Sequence, residues 1–79
     1  MATITNITLC SGGNHVRFTV TTARGSFQRS MSMPDLRAAI DDATLEQYLI
    51  AQLADLIRDN PGLTPLQLRN LIESHTFLE

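Results

Sequence analysis

The sequence predicts an α+β domain with the order βββααα, on three observations. Apolar residues recur at every second position up to Met33 and at every third or fourth from Pro34 onward. These are the periods of half-buried strands and of amphipathic helices. Turn residues divide the first part into three strand-length segments, and helix-starting signals occur three times in the second. Charge divides at the same place. Residues 1–33 carry Arg17, Arg24 and Arg29 and no acid, net +3; residues 34–79 set three arginines against eight acids, net −5. The simplest packing is an N-terminal three-stranded antiparallel sheet whose apolar face is covered by two to three C-terminal helices. The 79 residues are expected to form one domain, with residues 1–33 as its β part and 34–79 as its helical part.

The first strand is expected over residues 2–10, ATITNITLC, rich in Thr and Ile. Ile7 and Leu9 share one parity and Ile4 has the other, so a bulge near Thr5-Asn6 is needed to bring all three to one face. Ser11-Gly12-Gly13-Asn14 is a turn of residues that tolerate positive φ. Residues 15–22 alternate cleanly: Val16, Phe18 and Val20 point one way, His15, Arg17, Thr19 and Thr21 the other. Thr22-Ala23-Arg24-Gly25 closes a hairpin, with Gly25 suited to the left-handed position. Residues 26–33 alternate again, Phe27, Arg29, Met31 and Met33 against Ser26, Gln28, Ser30 and Ser32. Arg29 stands on the apolar parity, as a residue that snorkels at a sheet edge does.

Ser32, with Asp35 three residues on and Pro34 in the first turn, starts a short helix with Leu36, Ala39, Ile40 and Ala43 as its buried stripe. Thr44 with Gln47 is a second capping box. It opens the strongest helix, Leu45 to Asp59, whose apolar face carries Leu45, Leu49, Ile50, Leu53, Leu56 and Ile57. Asn60-Pro61-Gly62 ends it. Thr64, Pro65 and Gln67 supply N-cap, N1 and box residue of a third helix, with Leu63 placed to staple onto Leu68 and an inner stripe of Leu68, Leu71, Ile72 and His75.

Composition bounds the function more than it names it. A chain this short buries roughly 60% of its unfolded surface. That leaves little room for both a core and an enclosed substrate pocket, which typically needs about 300–1,000 Å³. The hydrophobic fraction of 43% is that of a folded domain. Cys10 is the single cysteine, so no internal disulfide can form, and a reducing, cytoplasmic setting is expected. The first residues lack the charged segment and apolar core of a secretion signal, and no apolar run approaches the ~20 residues of a membrane span. No cofactor motif and no metal-ligand spacing is present, and the expectation is a protein that is not an enzyme. Cys10 and His15 flank the first turn, but an apolar, β-rich context usually makes a thiol a small hydrophobe. Asp41-Asp42 with His75 is a weak metal constellation, since adjacent acids at a helix junction are more often caps.

Two surfaces are candidates for binding. The outer face of the sheet sets His15, Arg17, Thr19 and Thr21 near Gln28, Ser30 and Ser32 of the next strand, with Arg24 at the turn and Arg29 on or beside the face, and no acid lies in that half to neutralise them. It lacks the exposed aromatics on which single-stranded nucleic acid stacks, so an acidic protein surface is the expected partner. The alternative is the helical hairpin of residues 45–75. LTPLQLRNLIESH resembles the opening of a recognition helix in helix-turn-helix proteins, which implies DNA contacts from Arg69 and Asn70. One arginine beside Glu73, in a half of net charge −5, is a poor footprint for DNA. Phe77 and Leu78 either fold back onto the core or form, with Leu66, a patch for a homodimer or for partner docking.

Over its whole length the chain resembles, in style, the short accessory and inhibitor proteins of bacteriophages and prophages: a Thr-rich β-hairpin, a Leu/Arg helical hairpin, no cofactor motif and no export signal. The resemblance implies a non-enzymatic protein-binding module that acts on a host or phage protein in the bacterial cytosol, as anti-CRISPR and anti-restriction inhibitors do. Phage assembly accessories share the style. The resemblance transfers no residue roles.

Overall fold

Three antiparallel strands, β1 (Thr3–Cys10), β2 (His15–Thr22) and β3 (Gly25–Ser32), lie side by side in sequence order. Three helices follow: α1 (Met33–Arg37), α2 (Leu45–Asp59) and α3 (Pro65–Ser74). The structure is a computed structural model that describes residues 1–40 and 44–79. The order is the βββααα that the periodicities predict. Strand gives way to helix between Ser32 and Met33, one residue before the change of period.

The turns and caps follow local chemistry. The expected bulge in β1 is present: the register with β2 slips between Thr5 and Thr8, and Asn6 takes the left-handed conformation at φ 55°. The slip places Ile4, Ile7 and Leu9 on the same side of the sheet. At the β2–β3 hairpin the Thr22 hydroxyl accepts from the Arg24 amide and donates to the Gly25 carbonyl, both at 3.1 Å, while Gly25 sits at φ 134°. Ser32, Thr44 and Thr64 each accept the N3 amide of the helix that they cap. At Thr64 the box is complete, because the Gln67 side chain accepts the Thr64 amide in return at 3.0 Å.

One core joins the sheet to the helices. Ile4, Val16, Phe18 and Val20 from the sheet meet Leu36, Leu49, Ile50, Leu53, Ile57 and Ile72 from the helices. Each is less than a tenth exposed. Leu45, Leu56 and Leu68 are half-buried against this cluster. Leu71, expected on the inner stripe of α3, is half-buried, and Tyr48 is also half-buried on α2.

Three expectations for the helical half need correction. Helix α1 stops at Arg37, with Ala38 as its C-cap, so the stripe expected through Ile40 is cut short. Leu36 is buried and Ala39 half-buried, but Ile40 is 76% exposed. Ala43 lies outside the described residues. The Arg58 guanidinium of α2 donates to the Arg37 and Ala39 carbonyls and pairs with Asp55, which satisfies carbonyls that a helix end otherwise leaves open. His75 is not on the buried stripe of α3. It is the C-cap, in extended conformation and exposed, with its ring edge-on to Phe77 at 4.6 Å. Phe77 is not a surface residue: it is fully buried, leaving Leu66 and Leu78 exposed without it.

The tail is tied down along its backbone. Ala2 and Phe77 exchange both amide–carbonyl bonds, each at 2.9 Å. Gln52 of α2 holds the Leu78 backbone from both sides, accepting its amide at 2.9 Å and donating to its carbonyl at 2.6 Å. The Glu79 carboxylate takes the Met1 ammonium and the Ala23 amide. The ammonium and that amide hold its pKa below the usual carboxylate value. A lowered folded-state pKa makes this tie fully present above the ordinary carboxylate range and loosens it as pH falls through the Glu79 value.

Candidate functional site

The outer face of the sheet is a grid of four rows across three strands. From one end the rows are Thr3–Thr21–Ser26, Thr5–Thr19–Gln28, Thr8–Arg17–Ser30 and Cys10–His15–Ser32, each following the strand register. The inner face is apolar and lies under the helices, so the helices leave this face uncovered. Eight of the twelve grid positions are Thr or Ser. Cross-strand Thr–Thr and Thr–Ser pairs suit a pleated surface that faces water.

Arg17 stands near the middle of the grid and is exposed. Among the described residues it forms no ion pair, and no acid occurs in residues 1–33. Its guanidinium is free to bind a carboxylate through two parallel hydrogen bonds. His15, one row along, is half-buried, and its Nε2 lies 2.5 Å from the Ser30 Oγ on β3. Thr19 is half-buried at the next position inward on β2. Arg17, His15 and Thr19 therefore do share one continuous surface. Arg24 lies at the hairpin tip, beyond the end of the grid, where its charge helps lower the Glu79 pKa.

Arg29 departs from the expected site. It points to the helix side of the sheet, where it pairs with Glu46 in the first turn of α2, and it lies 6.0 Å from the Phe27 ring centre. Parity alone assigns it to that side. The missing signal was its acid partner, which is 17 residues away in sequence and belongs to another element.

Cys10 and His15 are directly opposite across β1 and β2, and both are half-buried. No Asp or Glu occupies that face to orient the imidazole. Asp41 and Asp42, the acids of the metal constellation, lie outside the described residues. On α3, Arg69 and Asn70 are exposed, and the Arg69 Nε donates to the Glu73 carboxylate at 3.2 Å. Leu66 lies beside a shallow apolar groove of about 260 Å³ between β1 and α3, lined by Ile7, Leu9, Pro65 and Arg69. Among the described residues no helix is long and apolar enough to cross a membrane. Compared with known protein families, characterised proteins and solved structures, this chain finds no match.

Proposed function

We propose that this domain is a protein-binding module, without catalytic activity of its own, that presents the uncovered sheet face to an acidic surface of a host or phage protein. The observation that carries this reading is Arg17: an exposed guanidinium without an ion-pair partner among the described residues, on a face of hydroxyls that holds no acid. A sheet face of short polar side chains is flat and has little side-chain entropy to lose on binding. Arg17 supplies the anchor, and His15, Thr19 and Ser30 supply donors and acceptors around it. Arg24 extends the positive charge to the hairpin tip and is placed to steer an acidic partner toward the face. The style of the chain favours an inhibitor of the phage type acting in the bacterial cytosol.

A DNA-binding regulator built on α2 and α3 is the weaker reading. The exposed pair Arg69 and Asn70 favours it, but Glu73 engages the Arg69 side chain. Binding to duplex would have to break that pair in an acidic half.

The test is a capture experiment with parent and Arg17→Glu/Arg24→Glu protein at two salt concentrations. Exposed surface charges contribute little to stability, including one that, like Arg24, acts on a carboxylate across solvent, so the stability of the double variant should lie within about 0.5 kcal/mol of the parent. Capture of the partner should fall with salt in the parent and be lost in the variant. Equal recovery by both proteins at both salt concentrations would show that the face is only solvated surface.

A further inference from the structure

We propose that β3 is a self-association edge, pairing antiparallel with β3 of a second copy of this chain about a two-fold axis at Gln28 and joining two sheets into one of six strands. The ladder between β2 and β3 carries the first step. The Met33 amide donates to the Asn14 carbonyl at 2.8 Å, one position beyond the His15–Ser32 register pair. Bonded and non-bonded pairs alternate along an antiparallel ladder. Met31, Arg29 and Phe27 therefore bond to β2, and the backbone N–H and C=O groups of Ser26, Gln28 and Ser30 point away from it. These three residues are exposed, and their backbone groups have no partner among the described residues.

The opposite edge is closed to such pairing. On β1 the Ala2–Phe77 bridge occupies the start, the bulge with Asn6 at φ 55° interrupts the middle, and α3 packs along the strand. Of the usual edge protections strand β3 carries one, an inward-pointing charge at Arg29. It runs eight residues in unbroken register, with no proline, lysine or bulge. Its one charge, Arg29, faces the helix side and is neutralised by Glu46.

The occupant is identified by self-complementarity. With the axis at Gln28, each copy's Ser26 faces Ser30 of the other, and each Phe27 faces Arg29 of the other. Arg29 already approaches its own Phe27 ring at 6.0 Å, and a guanidinium against an aromatic ring is a favourable cross-strand pair. Moving the axis to Arg29 would oppose two like charges; moving it to Phe27 would set Arg29 against Gly25. On the same side as Phe27 an open groove of about 440 Å³ is lined by Arg29, Met31, Ala39 and Ile40. Phe27 of the second copy is directed toward it and would cover Ile40, the most exposed isoleucine of the chain at 76%. A strand-edge contact of this length lies at or below the low end of the ~1,200–2,000 Å² of stable interfaces, so micromolar association is expected. The axis stands perpendicular to the sheet, so both Arg17 side chains remain on one side, and the outer face doubles without being covered.

Sedimentation of the full chain from low micromolar to near-millimolar concentration tests this. The mass should rise from 8.7 kDa toward twice that value. Gln28→Pro removes only an amide that points away from β2, a position where edge strands tolerate proline. It should weaken association by roughly tenfold or more, through two lost hydrogen bonds. In a Cys10→Ser background, Gln28→Cys should give an oxidised dimer, because bonded antiparallel partners lie ~5.5 Å apart at Cα, within disulfide reach. Ser26→Cys should not, its copies being roughly four residues apart along the strand. This pair decides the matter if the proline variant does not fold. A monomer at every concentration overturns the proposal. So does a dimer that survives Gln28→Pro, or one that cross-links through Ser26→Cys and not Gln28→Cys. Arg17→Glu should leave the dimer unchanged, so failure here and failure of the binding face are read separately.

Discussion

Leu53→Ala should lower the free energy of unfolding by about 2–5 kcal/mol, the usual cost of truncating a buried leucine. Leu53 is 2% exposed and lies in the middle of α2, where the helix meets Val16 and Phe18 of the sheet. The upper half of the range is expected. The contact is lined by apolar side chains, among them Val16, Phe18, Leu36 and Ile57, so the deleted atoms leave a void with few polar partners for a water. Domains of this size sit near the low end of the ~5–15 kcal/mol stability range. A loss of this size would therefore consume much of the margin. Each kcal/mol corresponds to about 4–8 °C in a domain of 60–100 residues. Urea titration of parent and variant measures the effect, and coincident midpoints would contradict the placement of Leu53.

Much of this core was legible because its signals are local. The strict alternation Val16–Phe18–Val20 has one reading, and all three residues are buried. Each helix start carries its own cap within four residues, so Ser32, Thr44 and Thr64 needed no tertiary information. The parity conflict in β1 foretold a bulge, since only a slip can bring Ile4 to the side of Ile7 and Leu9. The errors arose where a partner distant in sequence decides the outcome. Ile40 continues the period of α1, but the helix stops at Arg37, and Arg58 from α2 binds the carbonyls there. His75 continues the period of α3, yet the chain becomes extended at that residue so that Phe77 can reach Ala2.

The candidate site was legible in part for the same reason. The outward parity of His15, Arg17 and Thr19 follows from β2 alone, and β2 is central in the sheet, so both its neighbours are known once the two turns are read. Arg29 was harder, because a charged residue on an apolar parity can either end a strand or find an acid. It finds Glu46. The open edge of β3 required the full fold. Nothing in its sequence states that the C-terminal tail would close β1 while the outward backbone groups of β3 find no partner among the described residues.

That closure is the basis of the second large effect. Phe77→Ala should destabilise the domain by about 3–5 kcal/mol, although the residue lies two positions from the last. Its ring is fully buried, in the same cluster as Ile4 and Val20. Its amide and carbonyl complete the edge of β1 through Ala2. Two effects combine in the variant. The cavity costs transfer and packing energy, and the loss of the anchor frees a tail that the Gln52–Leu78 bonds hold only while Phe77 keeps it in place. Leu78→Ala separates these contributions. The Leu78 side chain is 63% exposed, and its contacts with Gln52 are made by its backbone, so this variant should stay within about 0.5 kcal/mol of the parent. Amide hydrogen exchange gives a second readout. In the parent the Ala2 amide should be protected, because it is bonded to Phe77; in Phe77→Ala it should exchange rapidly while amides in the middle of β2 and α2 keep their order of protection. If Phe77→Ala melts with the parent and Ala2 stays protected, the tail is not part of the core, and Phe77 returns to the surface with Leu66 and Leu78.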